Sequence, residues 1–414
     1  MSDRLRGADG AQPRVLVAGG GVAALELVLA LRALAGARVA IELVAPEPEL
    51  RYPPLDVVEP FGLVPPRVDL ADALASYDVT HRLDALADVD AVGHRVRTRG
   101  GAVLHYEALV VAIGARRVPP PAGALAFTGV EGRERFAELL RVAEAGQVRA
   151  LLFVVPSAVG WPLPLYELAM MTARRLRAAG SPARVTLATS EHTPLALFGG
   201  RPSGQLLERL EALGIAFLPG VEVERTLRGE VRLAPGGQIV PADRVVTLPA
   251  LAGPGLSGLP RDAEGFIPVD AHGGVRGAYD VYAAGDAIAY PIKHGGLATQ
   301  QADAVAEALA ARCGVPLDPA PFRPVLRGML LTGEEPQFLE AGVGVSRPDP
   351  AGGRSPLWWP PAKVAGRHLA PFLAARLGRS VPAGPPSREA WPQDAIPFEL
   401  SGAAAAHPSD ESGS

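Results

Sequence analysis

The stretch RVLVAGGGVAALELVLAL, residues 14–31, decides the fold of this chain. Residues 15–17 are a short apolar run, typical of a buried central strand in a parallel sheet. Three glycines follow, and from Ala23 onward the residues are strong helix formers with Glu26 as the only charge. The order therefore predicts a strand, a tight turn and a helix.

Gly19, Gly21 and Ala24 place small residues at three defined points of this turn, in a G-x-G-x-x-A pattern. Gly19 permits the sharp turn, and Gly21 lets backbone N–H groups approach a pyrophosphate. Ala24 allows close packing of helix on strand, and Val22 and Ala23 begin the helix whose N-terminus faces the phosphates. The alternative is an ordinary glycine-rich turn that binds no ligand.

Composition limits the classes of protein that the chain can belong to. Its 414 residues exceed one core, so two or three domains are expected. With 48% hydrophobic and 20% charged residues the chain is globular, and a net charge of −4 gives no electrostatic case for nucleic acid.

Cysteine and histidine usage argues against several kinds of site. Cys313 is the only cysteine, which excludes an intramolecular disulfide and a redox dithiol, and no histidine spacing indicates a metal site. Residues 1–13 have no apolar core of a signal peptide, which favours a cytoplasmic location. The longest uncharged run, 150–166, is interrupted by prolines and too short for a membrane span.

The second predicted strand, 38–44, should carry an acidic residue at its end that holds ribose hydroxyls in a dinucleotide fold. Ala45 occupies that place, and Glu47 follows two positions later. We expect Glu47 to bind the ribose from the loop; a solvated loop carboxylate is the alternative.

A second α/β unit begins near Val148, but its glycine turn is replaced. After the strand 151–155 come Pro156, Trp161, Pro162 and Pro164. Prolines donate no N–H, and Trp161 would crowd a backbone that must approach phosphate. Bound NAD(P)H is therefore doubtful here.

The chain then returns to the first unit. Residues 279–286 read as a strand ending in Gly285 and Asp286, where ligands bind in open α/β sheets. A helix is expected over 296–311. Near the C-terminus an amphipathic helix over 363–377 is expected, packed on its own domain or held against a membrane or partner.

Three segments together resemble the FAD-dependent pyridine nucleotide–disulfide oxidoreductase superfamily: 19–24, 110–115 and 284–286. The resemblance implies two Rossmann-like α/β domains, the FAD domain being discontinuous, and a small C-terminal domain. The expected segments are a disordered N-terminus (1–13), the two parts of the FAD domain (14–120 and 245–320), an inserted NAD(P)-binding-like domain (121–244), a C-terminal domain (321–378) and a disordered tail (379–414).

Within the superfamily the chain looks like sulfide:quinone oxidoreductase-like flavoproteins, with type II NADH dehydrogenases sharing the architecture. The segments that carry this are 52–55, 161–167 and 291–296, with 358–361 less specific. The resemblance implies that Asp286, beside Gly285, binds the ribityl chain of FAD and that the backbone at Gly296 and Leu297 faces the flavin. It also implies that Pro54, Ala112 and Gly114 line the cofactor. Lys293 is the candidate for a catalytic charge near the ring.

Two departures separate this chain from its relatives: the replaced glycine turn of the second unit, and the missing cysteines. The sulfide enzymes carry sulfur on cysteines beside the flavin, whereas the only cysteine here, Cys313, stands at the far end of a helix.

The leading hypothesis is an FAD-dependent oxidoreductase of unknown donor, with quinone as an acceptor by resemblance. The alternatives are an NAD(P)H-dependent reductase with an altered nicotinamide site and a non-catalytic, redox-sensing flavoprotein. A homodimer and peripheral membrane contact stay open.

Overall fold

The computed structural model describes residues 4–5, 7, 11–50, 52–120, 122–156, 160–342, 351–353, 358 and 362–376. The expected tail from residue 379 lies outside the described residues, as does most of the expected disordered N-terminus. Within that N-terminus, Leu5 differs from the expectation: it is buried and its N–H donates to the carbonyl of Arg312 at 3.0 Å.

The described residues from 14 to 120 alternate short strands with two α-helices, a short 3₁₀ turn over Gly36–Arg38 and a 3₁₀ helix over Pro53–Phe61. The strands are β1 (Arg14–Ala18), β2 (Ala40–Ala45), β3 (Glu49–Leu50), β4 (Val68–Asp69), β5 (Val79–Leu83), β6 (Leu86–Asp90), β7 (Arg95–Thr98), β8 (Val103–His105), β9 (Ala108–Val111) and β10 (Arg116–Val118). The helices are α1 (Val22–Ala35) and α2 (Leu70–Ala75).

The next part of the chain has the same alternating character. Its strands are β11 (Ala124–Ala126), β12 (Ala150–Val155), β13 (Arg184–Thr189), β14 (Ala216–Leu218), β15 (Glu222–Leu227), β16 (Glu230–Ala234), β17 (Gln238–Pro241), β18 (Arg244–Thr247) and β19 (Ala250–Ala252). Its helices are α3 (Gly129–Glu144), α4 (Leu163–Ala178) and α5 (Gly200–Ala212).

The last part completes the first sheet and adds a new one. It contains β20 (Val281–Ala283), α6 (Gly295–Arg312), β21 (Val325–Leu330), β22 (Gln337–Gly342), β23 (Ala351–Gly353) and α7 (Leu369–Arg376).

The first sheet is parallel, with strand order β20-β9-β1-β2-β5. The central β1 is buried along almost its whole length, as expected for a strand covered on both faces. Because β20 comes from far along the chain, this sheet is assembled from two separated segments. Helices α1 and α6 pack together on one of its faces. The carboxyl ends of β1, β9 and β20 therefore meet at one edge.

The second sheet is also parallel, with order β11-β18-β12-β13-β14. The chain leaves the first sheet through β10 and leaves the second through β19, and these two connecting strands pair antiparallel with each other. This confirms a mixed α/β fold with two Rossmann-like units. Smaller antiparallel sheets, β6-β7-β8 and β15-β16-β17, accompany these two. A further antiparallel sheet, β21-β22-β23, follows α6, and we call it the third sheet.

The expected amphipathic helix over 363–377 is wrong in its first half, because α7 begins only at Leu369. The side chain of Lys363, expected on a solvated face, is buried and ion-paired with Glu167. Because Lys363 is buried by its ion pair with a residue of another element, this segment is irregular and does not form one face of a helix.

None of the described helices combines the length and the apolar character that a membrane span requires.

Candidate functional site

The glycine turn after β1 is closed on one side and open on the other. Gly19 has φ +116°, and a Cβ there would lie 2.2 Å from the carbonyl oxygen of Ala112. Only glycine fits that position. Gly21, by contrast, has φ −91° and nothing within 4 Å of where its Cβ would be. The open side is where a ligand can approach the backbone.

Helix α1 begins at this open side without a cap. Gly21 is its N-cap residue, no side chain accepts from the first turn, and that turn contains no acidic residue. The N–H groups of Val22, Ala23 and Ala24 lie in the first turn, where the helix has no carbonyl group to accept them, so they are left for another partner. Uncapped N–H groups together with the positive end of the helix dipole form an anion site of the kind that binds pyrophosphate.

The ends of the two neighbouring strands reach the same edge. Gly114 follows β9 with φ +72° and open space around it, and Gly285 follows β20 with φ +76°. A Cβ on Gly285 would meet Ala23 at 3.1 Å and Ala298 at 3.6 Å. The close approach joins α1, α6 and β20 at one point, so the sequence-predicted residues of these segments are brought together.

Asp286 stands at this junction as a half-buried carboxyl group. Burial raises its pKa, and the nearby Lys293 ammonium lowers it. Within the described residues, no protein donor is recorded on this carboxylate. A shielded carboxylate without a donor favours a ligand that brings its own hydroxyl groups.

The start of α6 is a second uncapped helix end. Its N-cap residue is His294, whose side chain makes no capping bond. The N–H of Leu297 donates to the His294 carbonyl at 3.0 Å, so Gly295 and Gly296 provide the N–H groups without an intrahelical acceptor. The placement of the Leu297 backbone beside the flavin stays a prediction. Pro54 lies close by, 3.8 Å from where a Cβ of Gly295 would be.

The Lys293 ammonium group contacts other groups of the protein. Its Nζ donates to the carbonyl of Ile288 at 2.6 Å and lies 3.6 Å from the centre of the Phe266 ring. Burial lowers its pKa to about 8, opposed by nearby carboxylates that include Asp286. Because its ammonium group already has partners, these contacts favour a structural lysine over a catalytic one.

Glu47, the expected ribose ligand, is exposed on the loop after β2. No described side chain is recorded in contact with its carboxylate. This geometry suits either a ribose contact or a solvated carboxylate, so the assignment stays a prediction.

The corresponding turn of the second sheet is filled by the protein itself. Residues 157–159 of this turn lie outside the described part, but the Trp161 ring lies tilted against His294 with ring centres 4.3 Å apart and contacts Phe198 edge-to-face at 5.8 Å. Helix α4 has Pro162 at its N-cap and a second proline in its first turn. Few N–H groups remain for a phosphate at this helix end.

The position that would hold a second ribose is also occupied. Glu191 follows the end of β13, the place of a ribose-binding acid in such a unit. Its carboxylate accepts from the Tyr166 hydroxyl at 2.7 Å and from the N–H of Ala196 at 3.1 Å. Burial raises the pKa of Glu191. The structure thus supports the doubt about NAD(P)H with an independent observation.

Comparison with known families now gives a decisive match. Residues 13–308 match the pyridine nucleotide-disulphide oxidoreductase family. The chain belongs to this family. A comparison with curated protein sequences gave no match.

Solved structures share the fold of this family member at low sequence identity. A sulfide:quinone oxidoreductase from Aquifex aeolicus superposes with a TM-score of 0.77 at 21% identity, covering 90% of this chain and 93% of that one. A ferredoxin reductase of the CYP199A2 system from Rhodopseudomonas palustris gives 0.62 at 19% identity, covering 79% and 81%. An NAD-dependent persulfide reductase from A. fulgidus gives 0.58 at 19% identity, covering 79% and 64%.

Membership of this family makes FAD the cofactor of the chain, and the edge of the first sheet fits it. The open backbone at Gly21 and the uncapped start of α1 suit the pyrophosphate. Asp286 suits the ribityl hydroxyls, and the N–H groups at Gly296 suit the electron-rich edge of the flavin.

Cys313 lies far from this edge. It is the C-cap of α6, whose 18 residues span about 27 Å. Burial raises the pKa of its thiol to about 11. It therefore behaves as an unreactive buried thiol and does not replace the cysteines of the sulfide enzymes.

Sequence reasoning missed two buried glutamates, Glu26 in α1 and Glu167 in α4, both 0% exposed. Each binds the C-terminal part of the chain. The signal was present in the sequence, because each is the only acidic residue in a strongly apolar helical stretch. What the sequence could not supply was the partner, more than 190 residues away along the chain.

No metal site was expected, yet Glu26, Asp303 and His368 offer ligand atoms within 4.8 Å of one another. Both oxygens of Glu26 already accept backbone N–H groups at 2.7 Å. We therefore interpret this cluster as a hydrogen-bonded carboxyl pair beside an imidazole.

Proposed function

We propose that this family member passes electron pairs through its bound FAD from a small-molecule donor other than NAD(P)H to a quinone. The observation that carries the proposal is the contrast between an open first glycine turn and a filled second one. FAD has a built place, whereas a nicotinamide dinucleotide in the usual position meets Trp161 and an occupied Glu191.

The protein's own groups bind and orient the cofactor. The free N–H groups at the start of α1 neutralise the pyrophosphate, and the Asp286 carboxylate accepts hydrogen bonds from the ribityl chain. At the start of α6, the positive end of the helix dipole lies where negative charge develops on reduced flavin. When bound, FAD supplies two-electron chemistry that no side chain can perform.

Quinone as the acceptor is supported by the fold shared with the Aquifex sulfide:quinone oxidoreductase over nearly the whole chain. Peripheral membrane contact and a cytoplasmic location are part of the same proposal, since long-tailed quinones dissolve in membranes. Leu63 and Val64, which are 62% and 87% exposed after the 3₁₀ helix, offer an apolar contact for it.

An anaerobic titration of the purified flavoprotein tests this function. We expect the visible flavin absorption to persist with NADH and NADPH, and a short-chain quinone to reoxidise the dithionite-reduced protein far faster than buffer alone. Rapid bleaching by NADH or NADPH would establish the reductase alternative. A flavin that quinone does not reoxidise would overturn the quinone proposal and favour the non-catalytic alternative. Sulfide is titrated in parallel as a candidate donor.

Asp286→Ala tests the placement of the cofactor. We expect loss of most of the bound flavin, because the ribityl chain loses its acceptor, measured as the ratio of flavin to protein absorbance after gel filtration. Asp318→Ala, on an exposed carboxylate outside the cofactor edge, is the control and should keep full flavin. Full flavin content in Asp286→Ala would contradict the placement.

A further inference from the structure

Residues 362–369, which we call the strap, cross from the third sheet to helix α1 and are fastened at both ends. At the first end, the Lys363 ammonium donates to the Glu167 carboxylate and to the carbonyl of Met329. In the middle, the N–H of Val364 donates to the Tyr52 hydroxyl at 2.9 Å.

At the second end, a single carboxylate holds the strap. The N–H groups of His368 and Leu369 donate to the two oxygens of Glu26, each at 2.7 Å. A Cβ on Gly366 would lie 2.5 Å from one of these oxygens, so the strap can approach this closely only with glycine there. The carboxylate thereby caps α7 from another helix.

The strap lies over the start of α6. A Cβ on Gly295 would come within 2.8 Å of the Val364 side chain, so the two segments are in direct contact. This end of α6 is the one that the proposed function turns toward the flavin. An undocked strap would uncover it.

Glu26 shares its burial with a second carboxyl group, Asp303 on α6. The two side chains are hydrogen-bonded, and Asp303 Oδ1 is shielded from solvent without a partner of its own. Two carboxyl groups this close cannot both ionise without cost. Asp303, together with Glu307 and Arg367, also lines a cavity of about 360 Å³, which gives water a route to the pair.

We propose that the strap is a closure over the cofactor end of α6, and that proton loss from the Glu26–Asp303 pair releases its second end. The naming of that end as the cofactor end rests on the proposed function. The fastening and its release do not depend on it.

The direction of the pH effect follows from burial. Burial raises the pKa of Glu26 to about 7, from an ordinary value of 4.5, and burial together with the Glu26 charge raises that of Asp303 well above its usual range. The docked strap therefore binds protons that the undocked strap releases, so docking is favoured below about pH 7 and weakens above it. For Glu26 alone, the docking equilibrium falls about tenfold between pH 6 and 8.5.

Other groups around the pair do not reverse this direction. Facing it are Glu307 from α6, Arg367 and His368 from the strap, and Tyr52 from the loop before the 3₁₀ helix. Burial lowers the pKa of His368 to about 4, and burial raises that of Tyr52, so neither changes charge in this pH range. The Arg367 guanidinium opposes the effect by favouring ionised Asp303.

Hydrogen exchange of the full-length flavoprotein, read by mass spectrometry and corrected for intrinsic rates, tests the proposal. We expect protection of peptides covering 364–369 to fall about tenfold from pH 6 to pH 8.5, while peptides from α3 keep theirs. Equal protection of the strap at both pH values would overturn the proposal, and so would a parallel loss in α3.

Asp303→Asn separates the proposed device from a general pH effect. An amide at 303 donates to Glu26 at any pH and brings no second negative charge, so Glu26 can ionise in place at lower cost and the strap should stay protected at pH 8.5. Asp318→Asn, on the exposed rim of the same cavity, should keep the wild-type response. A wild-type pH response in Asp303→Asn would overturn the role of the pair. Flavin content, measured on the same samples, reports on the proposed function separately.

Discussion

Helices α1 and α4 begin at matching places of two parallel sheets, yet the protein uses them in opposite ways. The start of α1 follows three glycines and leaves its N–H groups open. The start of α4 carries prolines and is covered by Trp161. The same strand–turn–helix unit thus binds a ligand where its backbone is exposed, and becomes scaffold where side chains fill the space.

The two helices also share a feature that is independent of ligands. Glu26 and Glu167 are each the fifth residue of their helix, and both are fully buried. Both fasten the strap, Glu26 through backbone N–H groups and Glu167 through Lys363. The C-terminal segment therefore joins the two units at equivalent points.

A methyl group at Gly19 is the most disruptive single change in the open turn. Gly19→Ala should lose flavin and destabilise the fold by about 3 kcal/mol or more, because its φ of +116° and the Ala112 carbonyl leave no room for Cβ. Urea unfolding and flavin content after gel filtration measure the two effects.

Gly21→Ala is the matched variant in the same turn. Its backbone is extended and its surroundings are empty, so the free energy of unfolding of the flavin-free protein should change by less than about 1 kcal/mol while flavin binding is still lost. Retained flavin in Gly21→Ala would show that the pyrophosphate does not pass over this turn.

A substitution in α4 should affect flavin binding less than the two glycine variants do, but it should lower the stability of the fold strongly. Glu167→Ala should cost about 3 kcal/mol, because it leaves the buried Lys363 ammonium without its counter-ion and the Leu331 N–H without its acceptor. Flavin should stay bound in the protein that remains folded at low temperature.

The double variant Glu167→Ala/Lys363→Met is the control for Glu167→Ala. Removing both charges should recover much of the lost stability. If Glu167→Ala lost flavin as readily as Gly21→Ala, the division between a ligand turn and a scaffold turn would be wrong.

The sequence was informative at positions where a local physical requirement admits only one type of residue. The glycines of the first turn, the strand before it and Asp286 after β20 all follow from such local rules, and the family and fold they predicted are confirmed. The helix expected over 363–377 failed because its pattern was local, while Lys363 and His368 are positioned by Glu167 and Glu26 from distant segments.

The smallest expected effect concerns reopening the second turn. Pro156→Gly combined with Trp161→Gly removes a proline and the indole, yet it should not create micromolar NADH binding. The Tyr166 hydroxyl would still donate to the Glu191 carboxylate, and a proline would remain in the first turn of α4. Fluorescence titration with NADH measures the affinity. Tight binding in this variant would mean that Pro156 and Trp161 alone close the site, and that the two units differ by two side chains rather than by their whole first turns.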